Sequence, residues 1–135
     1  MWDEIKYQTG AVDERQASIT TLDIYAKEQE IKDVHLIKID IQGYELKALK
    51  GAKSVLARTS YVLVESAIQA LYKDAATFGQ VHEFMQQNNF HLMDFRAWHR
   101  GNHKLLEADL LFRHNYLLPP VDDNEYGRYY IGSSV

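Results

Sequence analysis

Hydrophobic residues change their spacing several times along the chain, and each change predicts a new element. A helical stripe from Leu22 to about Glu30 predicts a short helix. Thr20 and Asp23 have the spacing of a capping pair at its start. The run 34–41 (VHLIKIDI) is mostly apolar and rich in β-branched residues, which predicts a strand covered on both faces.

From Glu45 onward the apolar positions return to helical spacing, and we expect Gly51 to bend or divide that helix. The run 61–67 (YVLVESA) predicts a second buried strand. Another helical stripe over 78–89 closes with a pair of asparagines, which is typical of a helix C-terminus. The chain therefore alternates strands and helices through its centre.

Two further strands are predicted over 90–95 and 106–112. The segment 96–104 between them contains a Gly-Asn pair and is more typical of an antiparallel turn than of a helical crossover. Strand, helix, strand, helix, strand, hairpin and strand then follow in order. This order predicts an α/β domain with a mainly parallel sheet, a C-terminal antiparallel strand, and helices packed on the sheet.

The length of 135 residues fits one domain, and 46% apolar with 25% charged residues excludes a disordered or collagen-like chain. We expect residues 1–17 to form an N-terminal extension and residues 18–114 to form the domain. Residues 115–135 are expected to be a tail.

Charge and residue usage exclude several functional classes. The net charge is −4 and no basic block stands out, so we expect no nucleic-acid partner. The absence of cysteine excludes disulfides, iron–sulfur clusters, thiol catalysis and thiolate zinc sites. No apolar run approaches the ~20 residues that span a bilayer, and the N-terminus lacks the features of a signal peptide. We therefore expect a cytoplasmic protein with no membrane partner.

Two acids close the predicted parallel strands. Asp40 lies near the end of the first strand and Glu65 near the end of the second. Ligands of open parallel sheets bind beyond the carboxyl ends of the strands, so these acids would share one crevice if the strands are neighbours. Alternatively, Asp40 caps the following turn and Glu65 pairs with a lysine or a backbone amide.

The six residues 40–45 combine a strand-ending acid, an amide, a turn glycine, an aromatic residue and a helix-starting acid. Glu45 is placed where a helix dipole favours a carboxylate, which is a sufficient structural reason for it. Gly43 is explained equally well by a positive φ angle or by the close approach of a ligand.

Asp109 is unusual because it lies within the apolar run of the last predicted strand. Either a solvent-facing position or a role in a site would supply the partner that such an acid needs. His99 and His103 have a spacing that could hold a metal only on a helix. Gly101 and Asn102 between them indicate a loop, so we expect no metal site there.

The residues around Asp40 resemble a known family, the FkbM-type methyltransferases, specifically the C-terminal half of those proteins. The most specific parts are Asp-Ile-Gln-Gly-Tyr-Glu-Leu over 40–46 and Leu-Lys-Gly-Ala over 49–52. The likeness extends over roughly residues 18–114 and includes 20–25, 36–46, 61–65, 71–72, 78–90 and 108–112.

The resemblance implies a partial Rossmann-like methyltransferase sheet and an S-adenosylmethionine-dependent transferase. Its acceptor would be a hydroxyl of a sugar, glycan or other small metabolite. Asp40 would close the fourth strand of that fold and Glu65 the fifth, both facing the cofactor and substrate crevice.

Site roles follow from the same resemblance. We expect Asp40 to orient or deprotonate the acceptor hydroxyl, directly or through a divalent cation, and Glu65 to shape the acceptor site. Gln42, Glu45 and Asp109 are expected to bind substrate. A carboxylate with a pKa near about 4 is a weak base for an alcohol, which favours positioning over proton removal.

The resemblance also implies a glycine-rich loop that binds the cofactor. No two of the seven glycines are separated by a single residue, and 33 residues precede Val34, too few for the three strands expected there. We therefore expect the cofactor-binding half to be absent from this chain and the chain alone to be inactive.

One edge of the strand from Val34 to Ile41 would then lack a neighbour. Unpaired apolar edges promote association, so we expect either a homodimer through this edge or pairing with residues 17–20. Two other functions remain open. One is a non-catalytic α/β fragment or interaction module that associates through the strand edge, and the other is a metal-dependent hydrolase that uses Asp40, Glu65 and Asp109.

Overall fold

The computed structural model describes residues 18–68, 76–101 and 104–119 of the chain. The elements in that part are α1 (Leu22–Glu28), β1 (Val34–Ile39), α2 (Glu45–Lys50), α3 (Lys53–Leu56), β2 (Thr59–Ala67), α4 (Phe78–Gln87), β3 (Phe90–Gly101) and β4 (Lys104–His114). None of these helices is long and apolar enough to cross a membrane.

The strands form one mixed sheet in the order β1-β2-β4-β3. β1 and β2 are parallel, with Ile37 opposite Val62 and Ile39 opposite Val64. β4 is antiparallel to both of its neighbours. The α/β class and the antiparallel final strand are confirmed. The mainly parallel sheet is confirmed only in part, because β4 lies between β2 and β3 and leaves one parallel pairing in the described sheet.

Helices cover one face of the sheet. Val62 and Val64 of β2 and Leu110 and Phe112 of β4 are fully buried there. They share one core cluster with the buried residues of α2 and α4. The opposite face, here called the open face, carries half-buried residues of the same two strands: Tyr61, Leu63, Glu65, Asp109 and Leu111.

β1 and β2 are less buried than their apolar runs predict. β1 ends at Ile39 rather than at Ile41, and its Leu36 is 55% exposed. In β2, buried and half-buried residues alternate from Tyr61 to Ser66. The prediction that β1 is covered on both faces is therefore wrong for the described part of the chain, whereas β2 is buried on one face and half-buried on the other. An apolar run records hydrophobicity but not the neighbour that covers it.

α1 begins at Leu22 as predicted, but its N-cap lies one residue later than the predicted Thr20. Thr21 is the N-cap, and its side-chain oxygen accepts a hydrogen bond from the Ile24 N–H at 3.2 Å. Asp23 caps a different helix, because its carboxylate accepts from the backbone N–H groups of Ser54 at 3.1 Å and Val55 at 2.9 Å. Sequence spacing alone does not reveal this contact, which crosses about thirty residues of chain.

Gly51 divides the predicted central helix into α2 and α3, as expected. A Cβ atom at this glycine would lie 3.1 Å from the Thr21 side chain, so α1 packs closely on the junction. The Gly51 carbonyl also accepts a hydrogen bond from the Asp23 N–H at 3.0 Å. The division therefore creates the surface against which α1 is fixed.

α4 ends at the predicted pair of asparagines. The Asn88 side chain donates to the Phe84 carbonyl at 2.7 Å, and Asn89 has a positive φ of 66°. At the other end of the helix, the Gln80 side chain accepts a hydrogen bond from the Thr77 N–H at 3.0 Å. Polar side chains of the helix itself and of its C-cap thus satisfy backbone groups at both ends.

β3 and β4 form a hairpin that is longer than predicted. β3 continues to Gly101, which pairs with Lys104. The antiparallel connection is confirmed, although the two residues between these partners lie outside the described ranges. The prediction that residues 96–104 are a turn is wrong for most of that segment, because pairing with β4 keeps residues 96–101 in the ladder.

Candidate functional site

The structure brings the two strand-ending acids together. Asp40 directly follows Ile39, Glu65 directly follows Val64, and Ile39 and Val64 are register partners in the parallel pair. The acids therefore lie at the same edge of the sheet, beyond the carboxyl ends of β1 and β2. We refer to Asp40 and Glu65 as the carboxyl pair.

Gln42 connects the carboxyl pair. Its side-chain amide nitrogen lies 3.3 Å from Asp40 Oδ1 and 3.1 Å from Glu65 Oε2, and it donates to both. The backbone of Gln42 has a φ of 53° and that of Gly43 a φ of 102°, so both are in the left-handed region. This region is favourable for glycine and uncommon for glutamine, and it forms the tight turn after β1.

Glu45 holds this turn in place. Its Oε1 atom accepts a hydrogen bond from the Gly43 N–H at 2.9 Å and another from the Ile41 N–H at 3.3 Å. The residue is only 4% exposed. Glu45 was predicted to bind substrate; the structure places its carboxylate on the turn backbone, where it supports the position of Gln42.

The two acids of the pair have opposite electrostatic surroundings. Hydrogen bonds from Lys38, at 3.0 Å, and from Gln42 lower the pKa of Asp40, and the bond shared with Glu65 lowers it further. Partial burial raises the pKa of Glu65, and the shared hydrogen bond and negative charge of Asp40 add to that rise. A proton bound between them therefore resides mainly on Glu65.

Asp109 lies beside the pair on the open face. It is the register partner of Glu65 on one side and of Arg96 on the other. It is half-buried on the open face, and its role in a site stays a prediction. A hollow of about 180 Å³ in this region is lined by Leu63, Asp94, Arg96, Asp109 and Leu111.

The sequence did not identify Arg96 as part of the site. The predicted strand ended at Phe95, which placed Arg96 in a turn. The ladder to β4 and the irregularity between Leu92 and Asp94 place it instead on the open face. The position of Arg96 on this face follows from the pairing of β3 with β4, which the local sequence pattern does not show.

Metal binding has no support in residues 18–68, 76–101 and 104–119. No group of three or more histidine or acidic side chains there is arranged to hold an ion. The divalent cation expected beside Asp40 and the metal-dependent hydrolase both lack a ligand set in that part. His103 lies outside the described residues.

In the part of the chain that the structure describes, neither the hollow on the open face nor the groove beside α1 and β1 has Asp40 or Glu65 in its lining. The hollow of about 180 Å³ is smaller than the roughly 300–1,000 Å³ typical of small-molecule sites. A larger groove of about 610 Å³ is lined mainly by apolar residues of α1, β1 and the connection between them, including Leu22, Ile31 and Val34. Carboxylates and an amide, by contrast, are suited to a hydroxyl group.

Fold and site together define an α/β domain with a cluster of carboxylate and amide side chains at the carboxyl edge of two parallel strands. Residues 3–92 match the family model of the methyltransferase FkbM domain, which is most of the chain. The chain belongs to the FkbM methyltransferase family. The matched range includes the carboxyl pair and ends before Arg96 and Asp109. No curated protein and no solved structure matches the chain significantly.

Proposed function

We propose that the carboxyl pair and Gln42 bind the hydroxyl group that a methyltransferase of this family modifies. The acceptor would be a sugar, a glycan or another small hydroxylated metabolite, and S-adenosylmethionine is the methyl donor that the family implies. The observation that carries the proposal is the Gln42 amide, which donates to both acids at the carboxyl edge of adjacent parallel strands.

In this arrangement Asp40 positions the hydroxyl. Its lowered pKa keeps it ionised, so it accepts the hydroxyl hydrogen as a hydrogen bond and fixes the direction of the oxygen lone pairs. The same low pKa makes it a weak proton acceptor. The sequence-based assignment of Asp40 as orienting residue or base is thereby narrowed to orientation.

Glu65 is the acid of the pair that would accept a hydroxyl proton. Burial and the adjacent Asp40 charge raise its pKa, so its ionised form is the stronger base of the two. Asp109 and Arg96 would contact more distant parts of the acceptor from the open face.

The experiment is a titration of the full 135-residue chain with glycerol, glucose and myo-inositol, followed by backbone and side-chain amide NMR. The expected result is a concentration-dependent shift of the Gln42 side-chain amide signals and of the Gly43 backbone amide signal in the same turn. Gln42→Asn should abolish the Gly43 shift, because asparagine tolerates a positive φ but is one methylene too short to reach both acids.

The matched control is Gln86→Asn on the exposed surface of α4, which should leave the response unchanged. Shifts that persist in Gln42→Asn, or the absence of shifts with all three compounds, would overturn the proposal. Activity against an unknown acceptor is not needed for this test.

We propose further that this chain does not transfer methyl groups by itself, since its sequence contains no glycine-rich loop of the expected kind. Calorimetric titration of the chain with S-adenosylmethionine should then give no binding heat. Saturable binding at micromolar concentration would refute this part and leave the acceptor site untouched.

A second candidate is an interaction module without catalysis. In the described sheet β1 has β2 as its single neighbour, and residues 18–20 form no strand against its free edge. The groove of about 610 Å³ borders the same edge. Two copies could pair these edges about a two-fold axis, which would give a closed dimer.

Light scattering over a concentration series distinguishes this candidate. A dimer that Leu36→Lys abolishes, and that Ile24→Lys on the exposed surface of α1 preserves, would support pairing through β1. A monomer at every concentration would exclude it. The acceptor titration above is independent of this outcome.

A further inference from the structure

The proposed acceptor site needs hydrogen-bond donors as well as acceptors. A hydroxyl group donates one hydrogen bond and accepts others through its lone pairs, whereas an ionised carboxylate only accepts. The Gln42 side-chain amide has two N–H groups, and it donates to Asp40 at 3.3 Å and to Glu65 at 3.1 Å. The acids therefore engage both donors of this amide, and a donor to a ligand oxygen must come from another residue.

Lys38 supplies such a donor. Its Nζ atom lies 3.0 Å from Asp40 Oδ2, so it donates to the carboxylate oxygen that Gln42 does not bind. An ammonium group has three N–H donors and no acceptor. Within residues 18–68, 76–101 and 104–119, Asp40 is the one hydrogen-bond partner of Lys38, so two N–H groups remain for a ligand.

The position of Lys38 in β1 places its side chain beside the carboxyl pair. Lys38 and Asp40 are two residues apart, which is the spacing of side chains on one face of a strand, and Lys38 is the register partner of Leu63. The Lys38 and Asp40 side chains are 59% and 39% exposed, so a ligand can reach both. The hydrogen bond to Asp40 and the Asp40 charge raise the pKa of Lys38, so the ammonium group stays charged at neutral pH.

Lys38 Nζ and Asp40 Oδ2 form an adjacent donor and acceptor. A carboxylate oxygen has two lone-pair sites, and Lys38 uses one of those on Oδ2. A ligand hydroxyl that donates to the second site lies beside the ammonium group. The oxygens of two gauche hydroxyl groups on neighbouring carbons are separated by roughly the length of a hydrogen bond. The second hydroxyl of such a ligand is therefore within reach of Lys38.

We propose that Lys38 binds the acceptor together with Asp40 and selects vicinal diols. One hydroxyl group donates to Asp40 Oδ2, and its neighbour accepts a hydrogen bond from the Lys38 ammonium group. Acceptors of this class are sugars, cyclitols and other polyols with two adjacent free hydroxyl groups, rather than compounds with an isolated hydroxyl. The selection rests on the proposed acceptor site, to which it adds Lys38 as a residue that determines specificity.

Two isomeric diols test this selection on the full 135-residue chain. The hydroxyl groups are adjacent in trans-1,2-cyclohexanediol and lie at opposite ends of the ring in trans-1,4-cyclohexanediol. In NMR titrations, the Gly43 backbone amide signal should give a Kd about two- to tenfold lower for the 1,2 isomer, which corresponds to one additional hydrogen bond. The Lys38 Cε signal should shift with the 1,2 isomer and stay unchanged with the 1,4 isomer.

A change at Lys38 shows whether this side chain is the cause. Lys38→Met keeps a stem of similar length and removes both the donors and the charge. It should raise the Kd of the 1,2 isomer to that of the 1,4 isomer, whose own Kd should stay as in the unchanged protein. A purely structural role would alter both values alike. Lys53→Met on the exposed surface of α3 is the matched control and should preserve the preference.

Each of the other outcomes has a distinct meaning. Equal affinity of the unchanged protein for the two isomers would overturn the selection and leave the acceptor site in place, because both compounds would still shift the Gly43 signal. A preference that persists in Lys38→Met would overturn the assignment to Lys38. The absence of a Gly43 response to either compound would refute the acceptor site and the role of Lys38 with it.

Discussion

The strands β2 and β4 have different properties on their two faces. Leu110 and Phe112 point into a fully buried core with the helices, whereas Asp109 and Leu111 lie half-buried on the open face. Because successive side chains of a β-strand point to opposite faces, a residue that stabilises the core is followed directly by one on the open face. Changes on the covered face should alter unfolding free energy, and changes on the open face should mainly alter ionisation or binding.

The largest difference is expected between neighbouring leucines of β4. Leu110→Ala removes a fully buried side chain and should lower the free energy of unfolding by about 2–5 kcal/mol. Leu111→Ala should cost about 1 kcal/mol or less, since its side chain is only half-buried. Urea unfolding of both variants measures the contrast, and equal losses would contradict the division between faces.

A smaller loss is expected where α1 caps α3. Asp23→Ala removes the acceptor for two backbone N–H groups of α3 and should destabilise the chain by about 0.5–2 kcal/mol in thermal or urea unfolding. Asp33→Ala, at an exposed position before β1, is the control. Comparable losses in the two variants would show that the cap is not the cause.

The free energy of unfolding should also depend on pH through His114, which lies on the helix-covered face. Burial lowers the pKa of His114, whose ring packs edge-on against Phe90. The unfolded chain therefore binds this proton more readily. The stability that neutral His114 contributes should be fully present above the pKa of the unfolded chain, about 6.5. It should decrease as the pH falls toward the lower pKa of the folded state.

Urea unfolding between pH 5 and 8 measures this slope, and His114→Gln should reduce it. His35→Gln, at an exposed position of β1, serves as the comparison and should leave the slope unchanged. A slope that is equally steep in His114→Gln would assign the effect to other groups.

The smallest effect on stability, but a direct effect on ionisation, is expected at the carboxyl pair. Asp40→Asn removes the negative charge that contributes to the raised pKa of Glu65, so the pKa of Glu65 should fall. Carboxyl carbon NMR over a pH series measures the change. Glu83→Gln on α4 should leave Glu65 unaffected, and an unchanged pKa in Asp40→Asn would show that the two acids are not coupled.

The sequence predicted features that depend on local pattern. Strand-ending acids, the Gly43 turn and the division at Gly51 are each determined by a few adjacent residues. The contact from Asp23 to α3 was not predicted, because it requires two segments distant in sequence to meet. Arg96 was missed because the pattern of a single strand does not show how far its pairing with β4 extends. The burial of β1 was overestimated because an apolar run does not show which other segment packs against it.

The β3–β4 hairpin also has a kinetic consequence. Its partners Gly101 and Lys104 are three positions apart, so its ladder can grow from a short loop with little loss of chain entropy. The β1–β2 ladder joins residues about twenty-five positions apart and must wait for α2 and α3. We expect the hairpin that carries Arg96 and Asp109 to form early in folding, and the two acids bridged by Gln42 to meet only at the end.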